Sequence, residues 1–300
     1  MSVGSAAVIL LTGATGNVGT ALLRRLTARG DRVRCLVRDP RRLGPERVRV
    51  QIALGDLADP SSFRNALRGV DTVVHLAAAI RDQPPRGSIE ELNAVATLRL
   101  LRSAEKLGAR RFVFFSALGA TLHSPSRFFR AKTLAEDAVR ESPLDTTVFA
   151  PSIMYSPDDP FITLLTRLSL FPVLPVSGSG RATYQPLWAD DAAACIVSAL
   201  DGRGEGRDRF ELAGPDELTY DEIARLALRS LRRRRRLLHV PLPLVRQGLA
   251  AVEALMGPSA FAPWDEAELM EIPMTTPRGT ADAEALGVSP LPMRDVLAPA

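Results

Sequence analysis

Residues 8–22 read Val-Ile-Leu-Leu-Thr-Gly-Ala-Thr-Gly-Asn-Val-Gly-Thr-Ala-Leu, and the order of residue types in this stretch decides the fold. An apolar run, Val8 to Leu11, breaks at Gly13, Gly16 and Gly19. An amphipathic pattern follows, with Val18, Ala21, Leu22 and Leu26 on one face and Arg24 and Arg25 on another. That is strand, tight turn, helix. Gly13 permits the sharp turn, Gly16 lets a pyrophosphate approach the backbone, and Gly19 lets the helix pack close to the strand. The phosphates of a dinucleotide then meet free N–H groups at the helix N-terminus, where the dipole favours negative charge. Thr12, Gly13, Thr15, Gly16, Asn17 and Val18 are the expected cradle.

Working outward, short apolar strands at 7–11, 32–37, 50–54, 72–77, 111–116 and 146–150 alternate with amphipathic helices at 18–29, 61–68, 89–107 and 127–141. Ser88-Ile89-Glu90-Glu91 forms a capping box for the third helix. The alternation predicts an α/β protein with a doubly wound, parallel, Rossmann-type sheet, its cofactor lying across the C-terminal ends of the strands. Residues 1–150 read as the dinucleotide-binding core. Residues 151–300, where prolines accumulate, read as a small α/β substrate or partner lobe interwoven with the sheet edge. There Asp190-Asp191 is expected to cap a helix to about Leu200. Arg207–Leu212 reads as a strand, Thr219-Tyr220-Asp221-Glu222 as a capped helix start, and Val240 onward as an apolar helix to Met256.

Composition limits the function classes. With 46% hydrophobic residues, the 300-residue chain buries a sizeable core, and no apolar run reaches the ~20 residues of a membrane span. The N-terminus lacks a basic segment followed by an apolar one, so no signal peptide is expected and a cytoplasmic protein is. Cys35 and Cys195 sit in apolar segments without metal-ligand spacing; they read as core residues in a reducing compartment, and no metal site is expected. The net charge is +4, carried almost wholly by arginine, since lysine occurs only at Lys106 and Lys132. Nucleic-acid binding has no aromatic platform or reading helix behind it. Arg232–Arg236, five arginines in a row, reads either as a solvated turn or as a contact for an anionic surface such as lipid head groups.

Several residues carry chemistry. The second strand ends in Val37-Arg38, where an NAD site places an acid on the ribose hydroxyls. A guanidinium there forks onto a 2′-phosphate, with Arg41 and Arg42 adding positive field, so NADP(H) is expected over NAD(H). Asp56 and Leu57 follow the third strand as candidates for the adenine amino group and ring. Ala77 and Ala78 are small enough to let backbone approach ribose and phosphates, whereas His75, inside an apolar strand, reads as a satisfied core histidine. Ser116 ends a strand at the sheet's rim. Phe128-Phe129-Arg130-Ala131-Lys132 follows, ending sixteen residues after Ser116, and its first and last members share a helix face.

The G-x-x-G-x-x-G spacing, together with Ser116 and the position 128/Lys132 pair, resembles the short-chain dehydrogenase/reductase superfamily in its extended and atypical branches. That family uses Ser with Tyr-x-x-x-Lys. The resemblance implies that Lys132 holds the nicotinamide ribose and that Ser116 orients a carbonyl, while Phe128 stands where the proton-exchanging tyrosine belongs. Ala150-Pro151-Ser152-Ile153-Met154-Tyr155-Ser156 resembles the R-P-x-x-x-Y-G stretch beside the nicotinamide. Pro151 and Ile153 are thereby implied as cofactor contacts, and Tyr155 as a second proton donor beside Lys132. Gln185–Asp191, Phe210–Pro215 and Leu218-Thr219 match as well. The whole is most similar to NmrA-like proteins and to the accessory NADPH-binding subunit family of respiratory complex I.

Two functions follow. One is a reductase of a small apolar carbonyl, enone or quinone. The other is a non-catalytic NADPH-holding redox sensor or accessory subunit of a respiratory complex, with a protein partner or a place on the inner face of a membrane. Phe128 argues against sugar-nucleotide epimerase or dehydratase chemistry, because phenylalanine has no proton to give. The apolar 161–174 stretch reads as core, a substrate cap or a partner face.

Overall fold

The computed structural model describes residues 7–157, 159–245, 247 and 268–298. Its central element is β1 (Val8–Thr12), buried along its whole length. Around it, β2 (Arg32–Val37), β3 (Gln51–Leu54), β4 (Thr72–His75), β5 (Arg111–Phe115) and β6 (Asp145–Pro151) are the strands that the alternation predicts, with ends moved by a residue or two. The sheet has seven parallel strands in the order β11-β6-β5-β4-β1-β2-β3, where β11 is Arg209–Leu212. Winding reverses between β1 and β4, which opens a crevice at their C-terminal ends.

The side-chain period of a strand divides the core into two layers. Leu11, Val74, Val113 and Phe115 point to one side, under α1 (Asn17–Ala28) and α6 (Ala189–Leu200). Leu10, Val73, Phe112 and Phe114 point to the other, under α3 (Ala96–Lys106) and α4 (Arg127–Arg140), with α2 (Pro60–Phe63) contributing Phe63. Both faces being covered explains the near-continuous apolar strands. Cys35 and Cys195 lie in the first layer, and burial pushes each thiol up to about 12.

Beyond β6 come β7 (Met154–Tyr155), α5 (Pro160–Leu168), β8 (Val173–Ser177), β9 (Thr183–Tyr184) and β10 (Leu187–Trp188). After α6 and β11 come β12 (Leu218–Thr219), α7 (Tyr220–Ser230) and β13 (Arg236–Val240). α5, α7 and the parallel β8–β13 ribbon enclose a third core around Ile162, Leu174, Tyr184 and Ile223. Ile162, Leu165 and Leu174 of the apolar 161–174 stretch are thus core, while Leu170 and Phe171 are exposed.

Two sequence expectations need adjustment. Asp190 and Asp191 do not cap α6. The N-cap is Trp188, with no side-chain cap, and both acids lie in the first turn. Asp190 pairs with Arg25 of α1, and buried Asp191 accepts the Leu291 N–H at 2.9 Å. Long-range partners have claimed both carboxylates. Ser88 accepts from the Glu91 N–H at 3.2 Å, but the helix it opens passes through a π turn, Glu91–Val95, before α3. Most of the apolar helix expected up to Met256 lies outside the described residues. The Thr219–Glu222 capping box is complete.

The segment after 268 returns across the lobe to the sheet edge. Tyr184 donates to the Met270 carbonyl at 2.7 Å and Ser152 to that of Met274 at 2.6 Å. Asp282 on α8 (Ala281–Ala285) is 2% exposed. It accepts from Arg207 at 2.7 Å, Arg278 at 3.0 Å and the Glu211 N–H at 2.8 Å, and these bonds hold its carboxyl below the ordinary range against the cost of burial. Asp282→Ala is expected to lower the free energy of unfolding by about 1–3 kcal/mol, read from the denaturant midpoint; an unchanged midpoint refutes this anchoring.

Candidate cofactor and active site

The β1–α1 turn is built from backbone contacts. Gly13 has φ 74°, and a Cβ there would stand 2.6 Å from the Ala77 nitrogen. A Cβ on Gly19 would stand 2.0 Å from the Gly13 carbonyl oxygen. At Gly16, the N-cap of α1, an added Cβ meets nothing nearer than 3.5 Å. Nothing inside the protein therefore requires glycine at 16, whereas an approaching phosphate does.

A cavity of about 570 Å³ opens in front of this turn. Of the sequence candidates, Gly13, Thr15, Gly16, Arg38, Asp56, Leu57, Ala77 and Ala78 line it. Thr12 and Val18 are buried behind it, and Asn17 is the exposed first residue of α1. Its far end carries Arg38, Arg42 and Arg86. Burial and the neighbouring charges of Arg86 and Arg42 lower the Arg38 pKa. Arg86 pairs with Asp56 at 3.3 Å, so this carboxylate already has a cationic partner. Asp39, exposed and also lining the cavity, accepts the Arg41 N–H at 2.9 Å as the N-cap of the following turn. Three guanidiniums and two carboxylates, Asp39 and the Arg86-paired Asp56, thus line this end of the cavity.

The cavity's inner wall is held by a directional hydrogen-bond chain. Thr97 gives its single hydroxyl proton to the Asn93 carbonyl at 2.5 Å. It therefore accepts from His75 Nε2–H at 2.9 Å, which leaves Nδ1 to accept from Thr12 at 2.6 Å. The ring is neutral: burial, helped by the charge of Lys132, pushes its pKa down to about 3. Asn93, inside the π turn, clasps Ala79 from both sides, its Oδ1 accepting from the N–H at 3.0 Å and its Nδ2 donating to the carbonyl at 2.7 Å. This clamp positions the Ala77–Ala79 backbone.

Beyond the cavity, at the C-terminal ends of β5 and β6, lie the remaining candidates. The Ser116 N–H donates to Phe149 O and Leu118 N–H to Pro151 O, which brings Ser116 and Pro151 side by side. Lys132 is 2% exposed. Its Nζ donates to the Phe115 carbonyl at 2.6 Å and lies 4.8 Å from the Phe114 ring centroid and 5.8 Å from that of Phe128. Burial brings its pKa down to about 7, against a smaller upward pull from Glu136. The Ser116 and Tyr155 hydroxyls are buried with no hydrogen-bond partner among the described residues. Burial raises the Tyr155 pKa. Ile153 links to the next strand by accepting Leu187 N–H at 2.9 Å. Lys132 bonds the carbonyl of the residue just before Ser116, so these two lie together at the end of β5, whereas Tyr155 packs in the third core beside the acids Asp191, Asp216 and Asp295; none of the three lines the cavity.

Residues 13–169 match the family model described as NAD(P)H-binding. The chain belongs to that family. It binds a nicotinamide dinucleotide on an extended, atypical short-chain dehydrogenase/reductase fold. The chain is 31% identical over 257 residues to NADH dehydrogenase (ubiquinone) 1 alpha subcomplex subunit 9 of Arabidopsis thaliana, covering 81% of this chain and 62% of that protein. It thus spans less than two thirds of that relative's length. It is 30% identical to the ceramide reductase of Caulobacter vibrioides, over 92% of this chain and 88% of the other. Among solved structures, the UDP-glucose 4-epimerase of Thermus thermophilus in complex with NAD superposes with a TM-score of 0.73 at 16% identity, covering 97% and 96% of the two chains. At that identity the likeness concerns the fold.

Arg86, Gln83 and Asn93 escape sequence reasoning, since they sit in a polar loop and a helix start without periodic signal. Gly16→Ala is expected to keep stability within about 1 kcal/mol of the parent while weakening dinucleotide binding about tenfold or more. Gly19→Ala is expected to destabilise the fold itself by about 1–3 kcal/mol. Denaturant midpoints and fluorescence titrations check both, and parental affinity in Gly16→Ala removes Gly16 from the phosphate contact.

Proposed function

We propose that this protein is an NADPH-dependent reductase of an apolar carbonyl, enone or quinone in which Lys132 delivers the proton. The observation that carries this reading is the burial of the Lys132 amine, with a pKa near 7, one residue's carbonyl away from the orphaned hydroxyl of Ser116. A general acid works best when its pKa lies near the working pH. Lys132 meets that condition, and Phe128 contributes no competing proton.

Gly13, Thr15 and Gly16 would hold the pyrophosphate, Arg38 and Arg86 the 2′-phosphate, and Pro151 and Ile153 the nicotinamide side. Bound NADPH supplies a hydride to an electrophilic carbon. The Ser116 hydroxyl donates a hydrogen bond to the carbonyl oxygen and orients it. Lys132 passes a proton to that oxygen as negative charge builds there, so one hydride and one proton yield the alcohol or hydroquinone. Apolar surroundings, with Phe128 and Phe129 packed by Ile89 and Ala117, favour an apolar substrate. The ceramide reductase relative supports the same substrate class. A second reading, an NADPH-holding accessory subunit, is favoured by Phe128 and by the likeness to the Arabidopsis subunit.

NADPH oxidation with a panel of long-chain ketones, enones and quinones separates the two. The expected turnover falls as pH rises through about 7, because the protonated amine is the donor, and Lys132→Met loses about 10²–10⁴-fold. Phe128→Tyr is expected to raise turnover. Retention of NADPH without oxidation by any acceptor, in parent and Phe128→Tyr alike, leaves the accessory-subunit reading.

The parent is expected to bind NADPH more tightly than NADH, with the preference falling about tenfold in Arg38→Ala. Fluorescence titration of both cofactors checks this, and equal affinities in the parent refute the 2′-phosphate assignment.

A further inference from the structure

The arginines of this chain fall into two populations. Around the sheet they are paired: Arg25 with Asp190, Arg29 with Asp201, Arg110 with Asp71, Arg209 with Glu136. At one end of the second lobe they are not. Residues 160–181 contain Arg167 and Arg181, and residues 223–245 contain Arg225, Arg229 and Arg232–Arg236; neither segment has a single Asp or Glu. Among the described residues only Arg225 of these forms an ion pair, with Asp221.

Tertiary pairing brings the two segments together. β13 runs parallel to β8 with Arg236 opposite Val173 and Leu238 opposite Pro175. Arg233 donates to the Ser169 hydroxyl and Arg235 to its carbonyl, both at 2.8 Å, which ties the arginine turn to the end of α5. Arg232, Arg234 and Arg236 stay exposed around that turn. Beside them stand Leu170, 69% exposed, Phe171, 61%, and Leu238, 56%. Two of the lobe's carboxylates lie at the other end of the ribbon, where Glu271 accepts from the Ser179 N–H and Asp221 meets His239.

We propose that this tip is a docking surface for an anionic lipid bilayer, with Leu170, Phe171 and Leu238 entering the interface and Arg232, Arg234 and Arg236 on the head-group phosphates. An apolar tip alone fits many partners. Ringed by arginines that form no ion pair among the described residues, it matches a surface that is apolar within and negatively charged at its rim. Arginine stems lie along the apolar layer while the guanidiniums stay with the phosphates, and each cation near such a surface raises partitioning on the order of fivefold. The inference is independent of the reductase reading, because it concerns neither cofactor nor substrate.

The test is flotation of the full chain with vesicles of phosphatidylcholine alone and with roughly one third phosphatidylglycerol. The parent is expected to float with the anionic vesicles at low salt and about a hundredfold less with neutral ones. Arg232→Glu/Arg234→Glu/Arg236→Glu and, separately, Leu170→Ser/Phe171→Ser are each expected to lose about tenfold or more in binding while keeping parental melting temperature and NADPH affinity. Indifference of the parent to vesicle charge overturns the proposal. So does a Leu170→Ser/Phe171→Ser variant that binds as the parent does, since contact is then adsorption of charge alone. Absence of vesicle binding, with self-association that disappears in Leu170→Ser/Phe171→Ser, assigns the tip to a protein interface and also overturns it.

Discussion

A methyl group on residue 19 would stand 2.0 Å from the Gly13 carbonyl oxygen, and one on residue 13 would stand 2.6 Å from the Ala77 nitrogen. Helix α1 starts where it does because two side chains are missing. The contact fuses three pieces of backbone: the end of β1, the first turn of α1 and the exit of β4. Once they touch, the Gly13–Gly16 turn and residues Ala77–Ala79 face one cavity. The glycine contacts set the frame of the cleft, and Arg38, Arg42 and Arg86 line it from other segments. Behind it the Thr12–His75–Thr97–Asn93 chain fixes the distance between β4 and the helix that follows.

The sheet was legible because both its faces are covered. Strands buried on two sides read as short continuous apolar runs, and helices buried on one side read as 3.6-residue stripes. Only local spacing was needed to find β1 through β6, α1 and the position 128/Lys132 pair. The second lobe was harder. Its strands β7, β9, β10 and β12 have two residues each, too few for any period to show, and they are held by distant partners such as Met274 and Thr276.

The same division runs through the candidate site. Residues placed by regular elements, such as Ser116 at the end of β5 and Lys132 on α4, could be named from spacing and family pattern. Arg86 could not. It reaches the cavity from a polar loop between β4 and the π turn, and nothing local separates it from other arginines in an arginine-rich chain. Spacing was equally silent on the environment of Lys132. A lysine on the buried face of an amphipathic helix is legible, but the neighbouring strand that closes over its amine is not, and the burial it completes is what brings the pKa down to about 7.

Strand β11 closes the sheet from the second half of the chain, pairing in parallel with β6 from Arg209 to Leu212. Helix α6 covers α1 from the same half. The family signature ends at residue 169, yet the outer face of its first helix and the edge of its sixth strand are finished by residues 189–212. Grafting the dinucleotide module onto another protein by its signature would expose both surfaces to water. In this chain the stretch that matches the family and the stretch that completes its sheet have different ends.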